Sequence, residues 1–224
     1  MEKTVHGLEG VCISKNIIAF EGIDGSGKSS QAGLLMEKMR RNNMKCVLTA
    51  EPSGGEIGSL IRKVLAGKCS VASGALAHLF AADRLDHLLG CCSDVNLLTD
   101  DDIFLIMDRY YMSSFAYQAD MFGFELLAAL NAVAIGYFRP LCHVFIDVTP
   151  KTALERISLR GFEKDIYESE QSLIKVRKSY LEVFEKMSAD ENIIIIDGER
   201  DASAVSNDIW SQIEVFFPVG QIKP

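Results

Sequence analysis

Five short runs along the chain are apolar at nearly every position: Ile17–Phe20, Lys45–Thr49, Ile103–Met107, His143–Val148 and Asn192–Ile196. Each has the length of a strand, and continuous rather than alternating apolarity predicts strands covered on both faces, as in a parallel sheet. Longer stretches between them carry apolar residues at helical spacing: Ser29–Arg41, Gly58–Leu65, Ala75–Cys91, Ser113–Gln118, Glu125–Tyr137, Lys151–Leu159, Ser169–Lys186 and Ser203–Phe216. This alternation predicts an α/β fold. Ligands of such folds bind beyond the carboxyl ends of the strands, so chemistry is expected in the residues that follow each apolar run.

No internal repeat, low-complexity tract or linker divides the 224 residues, and 1–224 reads as a single domain with residues 1–16 as an irregular lead-in. With 48% hydrophobic and 24% charged residues the chain can bury a substantial core. Its formal net charge of −8 supplies no basic field, which argues against a nucleic-acid polymer as partner. The six cysteines form no CxxC pair and have no histidine at metal-ligand spacing, and no apolar leader opens the chain, so reduced thiols in a cytoplasmic protein are expected. Cys91-Cys92 reads as structural. The apolar stretch from Leu126 to Phe138 is too short, and too interrupted by Asn131, to span a bilayer; it is expected to be a core or interface helix, with no membrane partner. His6, His78, His87 and His143 lack the neighbours of a catalytic triad and are expected to be structural.

The most specific signal is FEGIDGSGKSS, Phe20 to Ser30, which contains the pattern G-x-x-x-x-G-K-[ST] between a predicted strand and a predicted helix. That is the setting of a phosphate-binding P-loop. Gly22, Ile23, Asp24, Gly25, Ser26, Gly27, Lys28, Ser29 and Ser30 are expected to cradle a nucleotide triphosphate, with Lys28 reaching the β/γ oxygens and the Ser29 hydroxyl on Mg²⁺. A guanine-reading Asn-Lys-x-Asp is absent, which argues against a GTPase switch.

A P-loop leaves open whether the γ-phosphate goes to water or to a second substrate. The run Ile103–Met107 leads into Asp108-Arg109, where a carboxylate can hold Mg²⁺ and a guanidinium can grip a second phosphate; an ion pair capping the strand would use the same residues. Phe80 and Arg84, four apart on one helical face, could stack and read a flat base, or simply pack and pair. The helical spacing after Lys151 breaks at Gly161 among Arg156, Arg160 and Lys164, which suits either a lid at about residues 158–168 or a charged surface hairpin.

Taken together, "FEGIDGSGKSSQ", "EPSGGEIG", "LFAADR", "DRYYMSSFAYQ", "FIDVTPKTALERISLRG" and "IIIIDG" resemble, in order and spacing, thymidylate kinases, the dTMP kinase family of P-loop nucleoside monophosphate kinases. The resemblance runs from about Ile17 to Trp210. It implies a three-layer α/β/α P-loop kinase fold with a five-stranded parallel sheet and a short lid, transfer of the ATP γ-phosphoryl group to dTMP with Mg²⁺, and a homodimer. It also implies that Phe80 stacks on thymine, Arg84 bonds the base edge, Arg109 holds the dTMP phosphate, and Asp108 organises Mg²⁺ and that arginine. Ser114 would contact the pyrimidine, Tyr117 would crowd a ribose 2′-hydroxyl, and Asp24 would reach toward the acceptor, with Glu51 and Ser113 completing its surroundings. Relatives place the transition-state cation in the P-loop or in the lid; Ser26 occupies the loop position here, so Arg156 and Arg160 are expected to act, Arg160 foremost.

One departure concerns the acceptor phosphate: many bacterial relatives carry arginine where this chain has Ala50, and often glycine where it has Ser53. The expectation is weaker dTMP binding with the reaction intact, Arg109 or Arg62 taking the load. Rival readings are a related kinase with another acceptor, such as dUMP, CMP or a deoxynucleoside, and a nucleotide-binding regulator that has lost catalysis.

Overall fold

The computed structural model describes residues 16–89, 103–160 and 169–217. Strands β1 (Ile17–Glu21), β2 (Cys46–Ala50), β3 (Phe104–Asp108), β4 (Cys142–Asp147) and β5 (Ile193–Asp197) form one parallel sheet in the order β2-β3-β1-β4-β5. The helices among the described residues are α1 (Lys28–Arg41), α2 (Glu56–Leu65), α3 (Ser73–Leu89), α4 (Tyr111–Phe122), α5 (Phe124–Leu130), α6 (Ala132–Tyr137), α7 (Pro150–Arg160), α8 (Glu170–Met187) and α9 (Ala202–Ile213).

Residues of β1 alternate between two buried layers. Ile17 and Ala19 pack with Leu105, Met107 and Phe145 beneath Phe115 of α4 and Tyr180 and Val183 of α8. Ile18 and Phe20 pack with Ile106, Val144 and Ile146 against Leu35 and Met39 of α1 and Ile209 of α9. Both faces of the central strands are therefore apolar, and the three-layer α/β/α fold follows from covering both.

That expectation does not hold at the sheet edge. In β5, Ile195 is 51% exposed while Ile194 and Ile196 are buried, because the strand has a neighbour on one side and helical cover on one face. The single helix expected over Glu125–Tyr137 is two, α5 and α6, divided at Asn131. Asn131 is 2% exposed; its Nδ2 donates to the Leu127 carbonyl at 2.8 Å and its Oδ1 accepts from Arg84. A buried amide with such partners interrupts the helix and serves the site below. His87 and His143 are likewise partnered: His87 Nε2 lies 2.7 Å from the Thr49 hydroxyl, and His143 Nε2 lies 3.3 Å from the Tyr111 hydroxyl. Arg160 ends α7, but its side chain and residues 161–168, where most of the lid was expected, lie outside the described residues, as do His6, Cys12, Cys91 and Cys92. Cys46, Cys69 and Cys142 carry free thiols, and no helix among the described residues is long and apolar enough to cross a membrane.

Candidate active site

Parallel pairing brings the carboxyl ends of three strands together: Phe20 is in register with Asp108, and Asp108 with Ala50. From Glu21 the chain turns through Gly22–Gly27 into α1. Gly25 adopts φ +83°, and a Cβ there would sit 2.3 Å from the Ala153 carbonyl oxygen, so both conformation and contact require glycine. Gly27 provides no side-chain cap and the first turn of α1 has no acidic residue, leaving its N–H groups aimed at the loop's interior as an anion cradle. Lys28 folds back over the loop, its Nζ donating to the Ile23 carbonyl at 2.8 Å. Burial and the nearby Arg109 push its pKa down to about 8, against the pull of Asp24, Asp108 and Glu21.

Ser29 Oγ donates to Asp108 Oδ2, joining the two expected Mg²⁺ ligands at the mouth of the loop. Both are hard oxygen donors. No group of three or more His, Cys, Asp or Glu among the described residues could hold a metal alone. The pair thus fits a cation that draws its other ligands from phosphate and water, which is the habit of Mg²⁺.

Beyond Asp24 and Arg109 a cavity of about 240 Å³ is lined by Asp24, Glu51, Arg62, Phe80, Arg84, Arg109, Ser113, Ser114, Tyr117 and Gln118, among others. All eight residues expected around the acceptor therefore meet at one place. Arg84 is almost fully buried; its Nη2 lies 2.6 Å from Glu51 Oε2, and its Nη1 donates to Ser114 Oγ at 3.2 Å and to Asn131 Oδ1. Its Nε and the Gln118 Oε1 are buried without a hydrogen-bond partner. The loop after β2 is tied to α3 through Asp83, which accepts from the Ser53 backbone N–H at 2.7 Å and hydroxyl at 2.6 Å. Ser53, unusual on sequence grounds, thus has a structural task.

Arg109 follows β3 at φ +72°, a left-handed conformation that costs a non-glycine residue about 1–3 kcal/mol and recurs at functional sites. Its guanidinium pairs with Asp24, donates to the Tyr117 hydroxyl at 3.0 Å and to Ser113 Oγ at 3.2 Å, and lies 5.0 Å from the Tyr117 ring centroid. Tyr117 in turn donates to Asp24 Oδ2 at 2.8 Å. Burial alone would raise the Asp24 carboxyl, but Arg109, Lys28 and the Tyr117 hydroxyl outweigh it and hold the pKa at about 2.

A second cavity is lined by Gly25–Gly27 of the P-loop and Ser30 together with Ile146, Arg156, Gly198, Arg200 and Ala202. Arg156 spans it, donating to the Ser26 carbonyl at 3.1 Å and the Gly198 carbonyl at 2.9 Å. The phosphate loop is therefore the wall shared by two cavities.

Sequence reasoning did not single out Gln118, Glu21, Asn131 or Tyr180 for the site. Gln118 stands one helical turn beyond Ser114, a signal that was legible; Glu21 is an acid ending an apolar strand. Glu21 is fully buried, and burial raises its carboxyl pKa against the opposing pull of His143, Ser113 and Arg109. Nothing in the local sequence around Tyr180 marks it.

A model of the thymidylate kinase family matches residues 20–209. A putative thymidylate kinase from Treponema pallidum is 36% identical over 207 residues, covering 91% of this chain and 97% of that protein. A probable thymidylate kinase from Methanocaldococcus jannaschii is 36% identical over 200 residues, covering 88% and 95%. Among solved structures, a thymidylate kinase from Candida albicans superposes with a TM-score of 0.72 at 26% identity, over 91% of this chain and 92% of that one. Identity spread over nearly the whole of both chains reaches far beyond a shared phosphate loop, and the chain belongs to the thymidylate kinase family.

Proposed function

We propose that the protein transfers the γ-phosphoryl group of ATP to dTMP, giving ADP and dTDP. The observation that carries this reading is the P-loop standing between two cavities, one of which gathers Phe80, Arg84, Arg109 and Gln118. Phe80 offers a face for the pyrimidine. The unpartnered Arg84 Nε and Gln118 Oε1 match the acceptor O4 and donor N3–H of thymine, and a base lacking that pattern would leave each buried group unsatisfied at about 1–3 kcal/mol. Arg109 grips the acceptor phosphate, and Tyr117 closes the ribose side.

The acceptor phosphate oxygen is already ionised at neutral pH, so the site needs no strong general base. Lys28 exchanges the Ile23 carbonyl for β/γ-phosphate oxygens. Ser29 and Asp108 would hold Mg²⁺, which when bound would supply charge neutralisation for the donor phosphates. Arg156, close to the loop, and Arg160 at the end of α7 are the cations assigned to the transferring group. Arg62 lines the acceptor cavity and, among the described residues, makes no ion pair, which suits it to take up part of the charge that Ala50 does not meet.

We further assign a cytoplasmic homodimer, in which the 44% exposed Leu126 of α5 contributes contact area; sedimentation equilibrium tests the dimer. The reaction itself is tested by ADP release with ATP and Mg²⁺ in the presence of dTMP, dUMP, CMP, AMP, GMP or no acceptor. Turnover largely confined to dTMP is expected. ADP release independent of acceptor would refute it.

A further inference from the structure

A fully buried carboxylate bonded to residues of the acceptor site is not one of the residues that line it. Glu21, the last residue of β1, has no solvent exposure. Its Oε1 accepts the Tyr110 backbone N–H at 3.0 Å, and its Oε2 lies 2.6 Å from Ser113 Oγ and 3.0 Å from the Tyr180 hydroxyl. These groups are donors to it, from the β3–α4 turn, from α4 and from α8.

Two routes lead from this carboxylate to Arg109. Along the backbone, the left-handed turn is pinned to β1 at successive residues: the Arg109 N–H bonds the Phe20 carbonyl at 2.9 Å, and the Tyr110 N–H bonds Glu21. Through side chains, Ser113 has one hydroxyl hydrogen; given to Glu21, it turns the oxygen lone pairs toward Arg109 Nη1, 3.2 Å away. Tyr180, whose hydroxyl lies 2.7 Å from Ser113 Oγ and 3.0 Å from Glu21 Oε2, shares its one hydrogen between the two. An acceptor-only group thus sets the direction of the hydrogen bonds that end on the guanidinium.

We propose that Glu21 is a positioning residue of the acceptor site, aligning Arg109 for the acceptor phosphate through Ser113 and through the Tyr110 backbone. The proposal rests on the assignment of Arg109 to dTMP. Glutamine at this position fills the same volume but brings a donor. Its amide nitrogen must face either the Tyr110 N–H, donor against donor, or Ser113 Oγ, where it competes with Arg109 for the same lone pairs. A carboxylate that merely satisfied stray donors would, when replaced, lower stability without distinguishing one nucleotide from the other.

The experiment compares Glu21→Gln with the wild type by steady-state kinetics for both substrates and by calorimetric dTMP binding without donor, with thermal unfolding confirming that each protein is folded. The expected result is a rise of about tenfold or more in both KM and Kd for dTMP, with KM for ATP unchanged within about twofold. In a Ser113→Ala background the same substitution should have a much smaller effect. Folded Glu21→Gln with dTMP constants within about twofold of the wild type, or with both substrates' KM rising together, overturns the proposal. Should Glu21→Gln fail to fold, Tyr180→Phe decides: dTMP Kd raised about threefold supports the relay, and an unchanged value overturns it. A wild type without dTMP-dependent turnover would defeat the acceptor assignment itself, an outcome separate from an active wild type with an unaffected variant.

Discussion

Replacing Glu51 by alanine tests what holds Arg84, the arginine proposed to read the base, in place. The Glu51 and Arg84 side chains are 3% and 2% exposed and 2.6 Å apart, so their attraction is barely screened. Without the carboxylate, Arg84 keeps its bonds to Ser114 and Asn131, both to neutral oxygens. Removing one partner of such a pair strands a buried charge and costs about 3–5 kcal/mol. At about 2–4 °C per kcal/mol for a domain of this size, the melting midpoint should fall by roughly 10 °C. Adding Arg84→Met removes the stranded charge and restores apolar volume, so the double variant should regain most of the loss, yet it should not bind dTMP, because the base-edge donor is gone. Urea denaturation with an unchanged slope gives the stabilities, and calorimetry gives the binding. A loss under about 1 kcal/mol in Glu51→Ala, or a double variant less stable than Glu51→Ala, would refute the electrostatic argument. Wild-type dTMP affinity in the double variant would refute the role of Arg84.

Lys28→Ala should lower kcat by orders of magnitude in a folded protein, measured by ADP release; surviving activity would contradict the P-loop assignment. Asp24 has a folded pKa of about 2 against its ordinary 3.8, so its stabilising contribution is complete above about pH 4 and is lost as pH falls toward 2. Wild type should therefore lose about 1–2 kcal/mol more than Asp24→Asn between pH 5 and pH 2 in urea titrations, and parallel losses would show that the Arg109 pair does not hold the carboxyl down. Arg62→Ala should raise KM for dTMP, and Ala50→Arg should lower it; a variant pair with unchanged KM would show that neither position meets the acceptor phosphate.

Local chemistry made much of this protein legible. The β1–P-loop–α1 unit is contiguous, so its glycines, Lys28 and Ser29 could be recognised from spacing alone, and apolar runs fixed five strands to within a residue or so at each end. The expected helix over Glu125–Tyr137 failed for an equally physical reason. Asn131 interrupts it because a buried amide found a partner in Arg84, 47 positions earlier, and such a partner has no local signature.

By itself the sequence determined the fold class and the phosphate loop, and it named eight residues that the structure gathers around one cavity, because these depend on periodicity and on short motifs. Only the tertiary structure decided how those groups are held: Arg84 between Glu51, Ser114 and Asn131, Arg109 between Asp24, Ser113 and Tyr117, and Glu21 beneath them with Tyr180 from α8. Burial turns polar residues that look ordinary in one dimension into obligatory partners, since a charge or donor removed from water must be met by whatever the fold brings to it.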